Sequence, residues 1–195
     1  MWEMQGELGT SQAYESGGDY RPNPHNYGQG FLGAELEYDA SDQTYEIRHI
    51  LHGDSLSKGI DSPLNGPCIN IIVGDKLMAV NGRTCDQETS PEQLLVNQAG
   101  SVITLTVKTE DSENPTRTVS IKAIGDERPV YYRQWVTQNR ETVHTKTKGK
   151  VGYVHIPDMG VNGYAEFHRS YLSEVNCDAL IVDVRCNSGG HVSQL

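Results

Sequence analysis

The run Asp183-Val184-Arg185-Cys186-Asn187-Ser188-Gly189-Gly190 carries the strongest chemical signal in the chain. It follows an apolar stretch, Ala179 to Val182, and leads toward what reads as the start of a helix. A glycine-rich turn at such a junction presents backbone N–H groups, and donors of that kind stabilise negative charge developing on a substrate carbonyl. Taken alone, Gly189 and Gly190 read first as a tight strand-to-helix turn, because glycine tolerates the backbone such turns need. His49 and His52 suggest a metal pair, but residues i and i+3 of a strand face opposite sides, so structural histidines are expected there. His155, inside an apolar strand, reads as a hydrogen-bonded core imidazole, with acid–base catalysis as the alternative. Cys68, Cys85, Cys177 and Cys186 show no CxxC spacing. Neither a metal nor a cofactor is expected.

The elements that would position these residues can be read from periodicity. Residues 1–27 are polar, and Ser16-Gly17-Gly18-Asp19-Tyr20-Arg21-Pro22-Asn23-Pro24 forbids regular structure, so this part is a connector. From Gly28 onward, Ala34–Ala40 and Thr44–Leu51 read as strands, and a third lies between the Gly74-Asp75 and Asn81-Gly82 turns. A helix is expected from the Ser90 N-cap, with Pro91 at its first position and Gln93 completing a capping box, ending at Gly100. Two alternating strands follow, at 101–109 and 117–124. Residues 28–126 thus form one small domain of strands and a short helix.

Beyond Pro129 the period lengthens. Tyr132, Trp135, Val136 and Val143 share a helix face, with Lys146, Lys148 and Lys150 in the loop behind it. Residues 151–157 are a strand, Tyr164, Phe167, Tyr171 and Val175 form a helical stripe, and 179–184 are a second strand. This β-α-β unit, with its continuously apolar second strand, suits a parallel sheet buried on both faces, and one unit alone leaves a face open. Residues 127–195 are therefore expected to be the truncated start of a larger domain.

With 195 residues there is room for one large or two small domains. Sixteen Lys and Arg against 26 Asp and Glu give a formal charge of −10, with no basic run. This argues against nucleic-acid and anionic-membrane partners and toward peptides or proteins. Cys177 and Cys186 flank one strand, so about 30 Å separates them, too far for a disulfide. With neither a signal peptide nor an apolar membrane span, free thiols fit a soluble protein of the cytoplasm.

In this order, the segments Glu3–Gly18, Tyr131–His144, Gly152–Gly160 and Leu180–Leu195 resemble the C-terminal half of tricorn proteases. The resemblance implies a mixed α/β chain. Its first domain would be a PDZ domain, a small partly open β-barrel with a short helix, and an incomplete β-α-β unit of a crotonase/ClpP-like α/β serine-peptidase domain would follow. The implied activity is hydrolysis of oligopeptides by a cytoplasmic, homo-oligomeric parent. The family's catalytic histidine falls on Gln12 within Thr10-Ser11-Gln12-Ala13-Tyr14-Glu15, and an amide is no usable base near neutral pH. Ser11, Tyr14 and Glu15 would support that position, or else be loop residues packed on the catalytic domain. The family's oxyanion glycine falls on Gly190, after Gly189, while its serine nucleophile and acidic residue have no counterpart in these 195 residues. The chain itself is then expected to be inactive. Gly28-Gln29-Gly30-Phe31 resembles the loop with which PDZ domains hold a peptide's terminal carboxylate, and it would serve equally as a turn into the first strand. Two other readings remain: a catalytically dead homologue whose PDZ domain binds peptides, and a tail-specific C-terminal processing peptidase.

Overall fold

The computed structural model describes residues 2–9, 27–55, 57, 59–109 and 115–190. A short helix, α1 (Trp2–Gly6), comes first. Six strands then build one antiparallel sheet: β1 (Ala34–Asp39), β2 (Thr44–Ile50), β3 (Lys76–Val80), β4 (Arg83–Thr84), β5 (Val102–Lys108) and β6 (Thr116–Lys122). Their order is β1-β2-β3-β5-β6, with β4 paired to β3 off this path. Alternation sets the buried face: along β5, Ile103, Leu105 and Val107 point inward and are at most 1% exposed. They meet Ile47, Leu77, Val80, Leu94 and Leu95 in a single core. The β3–β4 reversal uses Asn81 and Gly82, both at positive φ (51° and 75°), as a two-residue hairpin turn demands.

Two features decide how far this sheet closes. Phe31, ahead of β1, and Ile124, behind β6, exchange backbone hydrogen bonds of 2.8 and 3.1 Å. That single bridge draws the two edges together without forming a closed barrel, and among the described residues β1 has only β2 as a strand partner. The expected helix ending at Gly100 is shorter than its caps suggested. Ser90 Oγ does accept from the Gln93 N–H at 3.4 Å, but α2 spans only Pro91–Leu94. Asn97 then turns to φ 60°, and the chain passes through turns to Gly100 at φ 72°.

Downstream, α3 (Arg128–Thr147) and α4 (Val161–Glu174) pack on β7 (Val151–His155), which pairs in parallel with β8 (Ala179–Asp183). Lys146 lies within α3, and Lys148 ends it in a left-handed conformation, rather than both lying in a loop. The aromatic stripe of α4 does not face the sheet. Tyr164, Tyr171 and Val175 are exposed, and Gly163 and Glu174 are the buried positions. Gly163 is there because a Cβ would strike the Asp158 carbonyl oxygen at 1.7 Å, so the close approach of helix and strand-end loop selects the smallest residue. On β8, Ile181 and Val182 are both about half exposed, so both faces of that strand remain apolar and uncovered. No helix among the described residues is long and apolar enough to cross a membrane.

Candidate active site

The turn after β8 is held residue by residue against the loop after β7. Ile156 N–H donates to the Asp183 carbonyl at 2.9 Å, Ser188 N–H to Pro157 at 2.9 Å, and Met159 N–H to Gly189 at 2.8 Å. Asn187 reaches both ways: its Nδ2 donates to the Ile156 carbonyl at 3.0 Å, and its Oδ1 accepts from the Gly189 N–H at 2.8 Å. The opposing loop is itself fixed by Asp158, whose Oδ1 accepts from the Gly160 and Gly163 N–H groups, each at 2.8 Å. Those bonds, Gly163 first, hold its carboxyl below the usual carboxylate range.

Gly190 ends this scaffold. Its φ is 138°, and a Cβ there would lie 2.9 Å from the Met159 carbonyl carbon, so only glycine fits. Its N–H has no acceptor among the described residues, whereas the N–H groups of Ser188 and Gly189 are both engaged. One free donor on a rigid strand-end turn is the geometry an oxyanion donor requires.

Charged and aromatic groups brace the same turn. Arg185 grips Asp183 with two nitrogens, at 3.0 and 2.6 Å, and Tyr153 donates to the same carboxylate at 2.6 Å. The Arg185 hydrogen bond is the main reason the Asp183 carboxyl is held well below the usual range. Burial, then the Asp183 contact, pushes the Tyr153 hydroxyl up to about 12. His155 is 3% exposed and bonded at both nitrogens, Nδ1 to the Tyr132 hydroxyl at 2.9 Å and Nε2 to the Arg185 carbonyl at 2.8 Å. A carbonyl only accepts, so Nε2 carries the proton and, in the neutral imidazole, Tyr132 donates to Nδ1. His155 is thus the hydrogen-bonded core imidazole of the sequence reading. Beside it, Tyr131, Tyr132, Trp135, Pro157 and Cys186 line a mainly apolar cleft of about 460 Å³ at the mouth of the turn.

The remaining sequence candidates divide clearly. Ser11, Gln12, Tyr14 and Glu15 lie outside the described residues. In Gly28-Gln29-Gly30-Phe31 every backbone N–H already has an acceptor: Asn97 Oδ1, Tyr27, Leu95 and Ile124 respectively. The Gln29 side chain also donates to the Glu92 carbonyl of α2 at 3.0 Å. Gly30 is a close-approach glycine, since a Cβ would sit 3.1 Å from Gln98. This loop has the hydrogen bonding of a turn into β1, and a carboxylate could bind it only by displacing those bonds. His49 and His52 make no metal pair; the His49 ring and the His52 N–H both meet Gln134 of α3. All four cysteines are free thiols. Sequence reasoning missed Tyr132 and Asn187 as braces, because hydrogen bonds across roughly 23 to 31 residues leave no local periodicity to detect.

Known proteins place this geometry. The model of the tricorn protease PDZ domain matches residues 30–126, and that of peptidase family S41 matches residues 150–195. The chain is 44% identical over 193 residues to a tricorn protease homolog of Saccharolobus solfataricus, covering 99% of this chain and 17% of that protein. The tricorn protease of Thermoplasma volcanium is 36% identical over 193 residues, covering 99% of this chain and 18% of that protein. A crystal structure of the tricorn protease superposes with a TM-score of 0.85 at 34% identity, over 98% of this chain and 18% of that one. The chain resembles one part of the tricorn proteases along nearly its whole length. It spans less than a fifth of the length of these relatives. The antiparallel sheet of β1 to β6 lies in the part matched by the tricorn PDZ model, and the turn carrying Gly190 lies in the part matched by family S41.

Proposed function

We propose that this chain supplies the PDZ domain, within residues 28–126, and the oxyanion turn, within residues 127–195, of a serine peptidase that hydrolyses oligopeptides. The observation that carries this is the N–H of Gly190, which has no acceptor among the described residues, on a turn where the N–H groups of Ser188 and Gly189 are both engaged. In the reaction that N–H binds the carbonyl oxygen of the scissile bond as it becomes an oxyanion, and the 460 Å³ cleft lined by Pro157 and Cys186 receives a substrate side chain. Arg185, Asn187 and Asp158 hold the donor still, so little reorganisation is needed as charge develops. Base and nucleophile come from elsewhere: Gln12 stands at the family's histidine position, and the family's serine is not among these residues. The protein works in the cytoplasm as a homo-oligomer, with oligopeptides as partners and neither nucleic acid nor membrane.

Hydrolysis of short fluorogenic peptides tests this in four chains: the 195-residue chain and the full-length protein, each with Gln12 and with Gln12→His. Only the full-length histidine form should be active. Activity of the 195-residue Gln12→His chain would require a nucleophile within it, with Ser11 and Ser193 the first to replace. Gln12 itself favours a second reading, a homologue that binds peptides without cutting them along the open edge of β1. Peptide binding by an inactive full-length histidine form would establish that alternative.

A further inference from the structure

Away from the turn, at the opposite end of β7, three side chains of metal-ligand type converge. His144 Nε2 lies 2.6 Å from Glu174 Oε2, and Cys177 Sγ lies 3.8 Å from the same oxygen. All three ligand atoms fall within 4.8 Å of one another. The residues come from the last turn of α3, the last residue of α4 and the turn into β8, so neighbouring positions in space are 30 and 3 residues apart in sequence. That separation hides them from any spacing motif.

Glu174 is the centre of the cluster and its side chain is only 2% exposed. A buried carboxylate requires compensation. Here no lysine or arginine pairs with it among the described residues, and Oε1 has only Ser173 Oγ, at the outer limit of a hydrogen bond, 3.5 Å. Its position is imposed by Gly152 of β7: a Cβ there would meet Glu174 Cβ at 2.8 Å and Oε2 at 2.9 Å. The strand therefore gives up a side chain to make room for this carboxylate. Both α3 and α4 end at the cluster, and helix C-termini carry partial negative charge that favours a cation.

We propose that His144, Glu174 and Cys177 form a binding site for a zinc-class divalent cation that clamps α3 to α4. Imidazole, carboxylate and thiolate are together a donor set for zinc, and three protein ligands leave a fourth position for water. A tetrahedral ion with bonds of about 2.0 Å to N and O and about 2.3 Å to S needs ligand separations of about 3.3 Å (N to O) and 3.5 Å (S to O). Relative to the Glu174 oxygen, His144 must part from 2.6 Å and Cys177 close from 3.8 Å, each by less than 1 Å, and the His144 and Cys177 ligand atoms already lie within 4.8 Å of each other. Partial exposure of His144 and Cys177 gives the ion a way in. This site is independent of the peptidase reading.

Zinc chloride titrated calorimetrically into the reduced 195-residue chain tests the proposal, with cobalt(II) as an absorbing substitute. The expected result is one equivalent of zinc bound, a rise in Tm, and a near-ultraviolet thiolate-to-cobalt band. Cys177→Ser should abolish the band, and Cys177→Ser and His144→Ala should each weaken binding at least tenfold while keeping the circular dichroism of the parent. Cys68→Ser and Cys186→Ser should change neither. Absence of zinc binding, or binding unchanged in both ligand variants, would overturn the proposal and leave a hydrogen bond between His144 and Glu174 in its place.

Discussion

Replacing His155 by Phe keeps an aromatic ring against Tyr132 and Trp135, whose centroids lie 5.4 and 4.9 Å away, and removes two hydrogen bonds. Each lost bond is worth about 1 kcal/mol net, and a buried hydroxyl left without a partner adds about 1 kcal/mol or more. Tyr132 bears that last cost, since burial already pushes its hydroxyl up to about 12. The Arg185 carbonyl belongs to an exposed residue and can turn to water. The sum is about 2–3 kcal/mol, or roughly a 30- to 150-fold fall in the local folding equilibrium. Trp135 reports it directly: in a Trp2→Phe background its fluorescence follows urea unfolding of this part of the chain alone, and the midpoint should fall at constant slope. Tyr132→Phe alone should cost about 2 kcal/mol, one bond plus the buried His155 Nδ1 that it strands, and the double variant less than the sum, because neither the hydroxyl nor Nδ1 is then stranded. A midpoint shift worth under about 0.5 kcal/mol, or strict additivity, would refute the assignment of His155 as a brace of the turn.

Three further outcomes follow from the geometry. The Asp183 carboxyl is held well below its ordinary range by Arg185, so its stabilisation is complete above the unfolded value near pH 4 and is lost as pH falls further; Asp183→Asn should flatten the acid limb of a Tm-against-pH curve. Cys85 is 1% exposed and burial pushes its thiol up to about 11, so mass spectrometry at about pH 8 should find iodoacetamide on exposed Cys68 and Cys186 first and on Cys85 only after unfolding. The N–H groups of Gly28 to Phe31 are already bonded, so peptides with free and with amidated C-termini should bind the PDZ domain equally in a fluorescence-anisotropy titration; a strong preference for the free acid would show that the loop opens to hold a carboxylate.

How much of this was legible in the sequence varies with the range of the interaction. Strands such as β5 were plain, because Ile103, Leu105 and Val107 alternate with polar residues and the fold buries that face. The Asn81-Gly82 reversal was legible for the same local reason, a backbone that few residues adopt. The length of α2 was not, because its caps promise a start while the Gly28–Phe31 loop takes up the Leu95 carbonyl and the Asn97 side chain just beyond it. The aromatic stripe of α4 showed a helix but not which side packs: Gly163 and Glu174 are the buried positions, Gly163 under the Asp158 carbonyl and Glu174 against Gly152 of β7. Gly190 could be named only through the motif around it. Its φ, its contact with Met159 and an N–H without an acceptor among the described residues are properties of two loops meeting in space.

The central claim is that the Gly190 N–H stabilises the oxyanion, and a backbone change tests it without side-chain effects. At φ 138° neither alanine nor proline fits, so either would confuse a lost donor with a broken turn. Replacing the amide between Gly189 and Gly190 by an ester, in the full-length protein carrying Gln12→His, deletes that N–H and leaves position 190 without a Cβ; the Gly189 carbonyl stays in place as a weaker acceptor for the Met159 N–H, so circular dichroism and Tm are read alongside turnover. The turnover number for fluorogenic peptides should fall by about 10²–10³ while KM stays nearly unchanged, because the donor acts in the transition state. An ester-containing enzyme with full turnover would assign Gly190 to turn geometry alone and contradict the account.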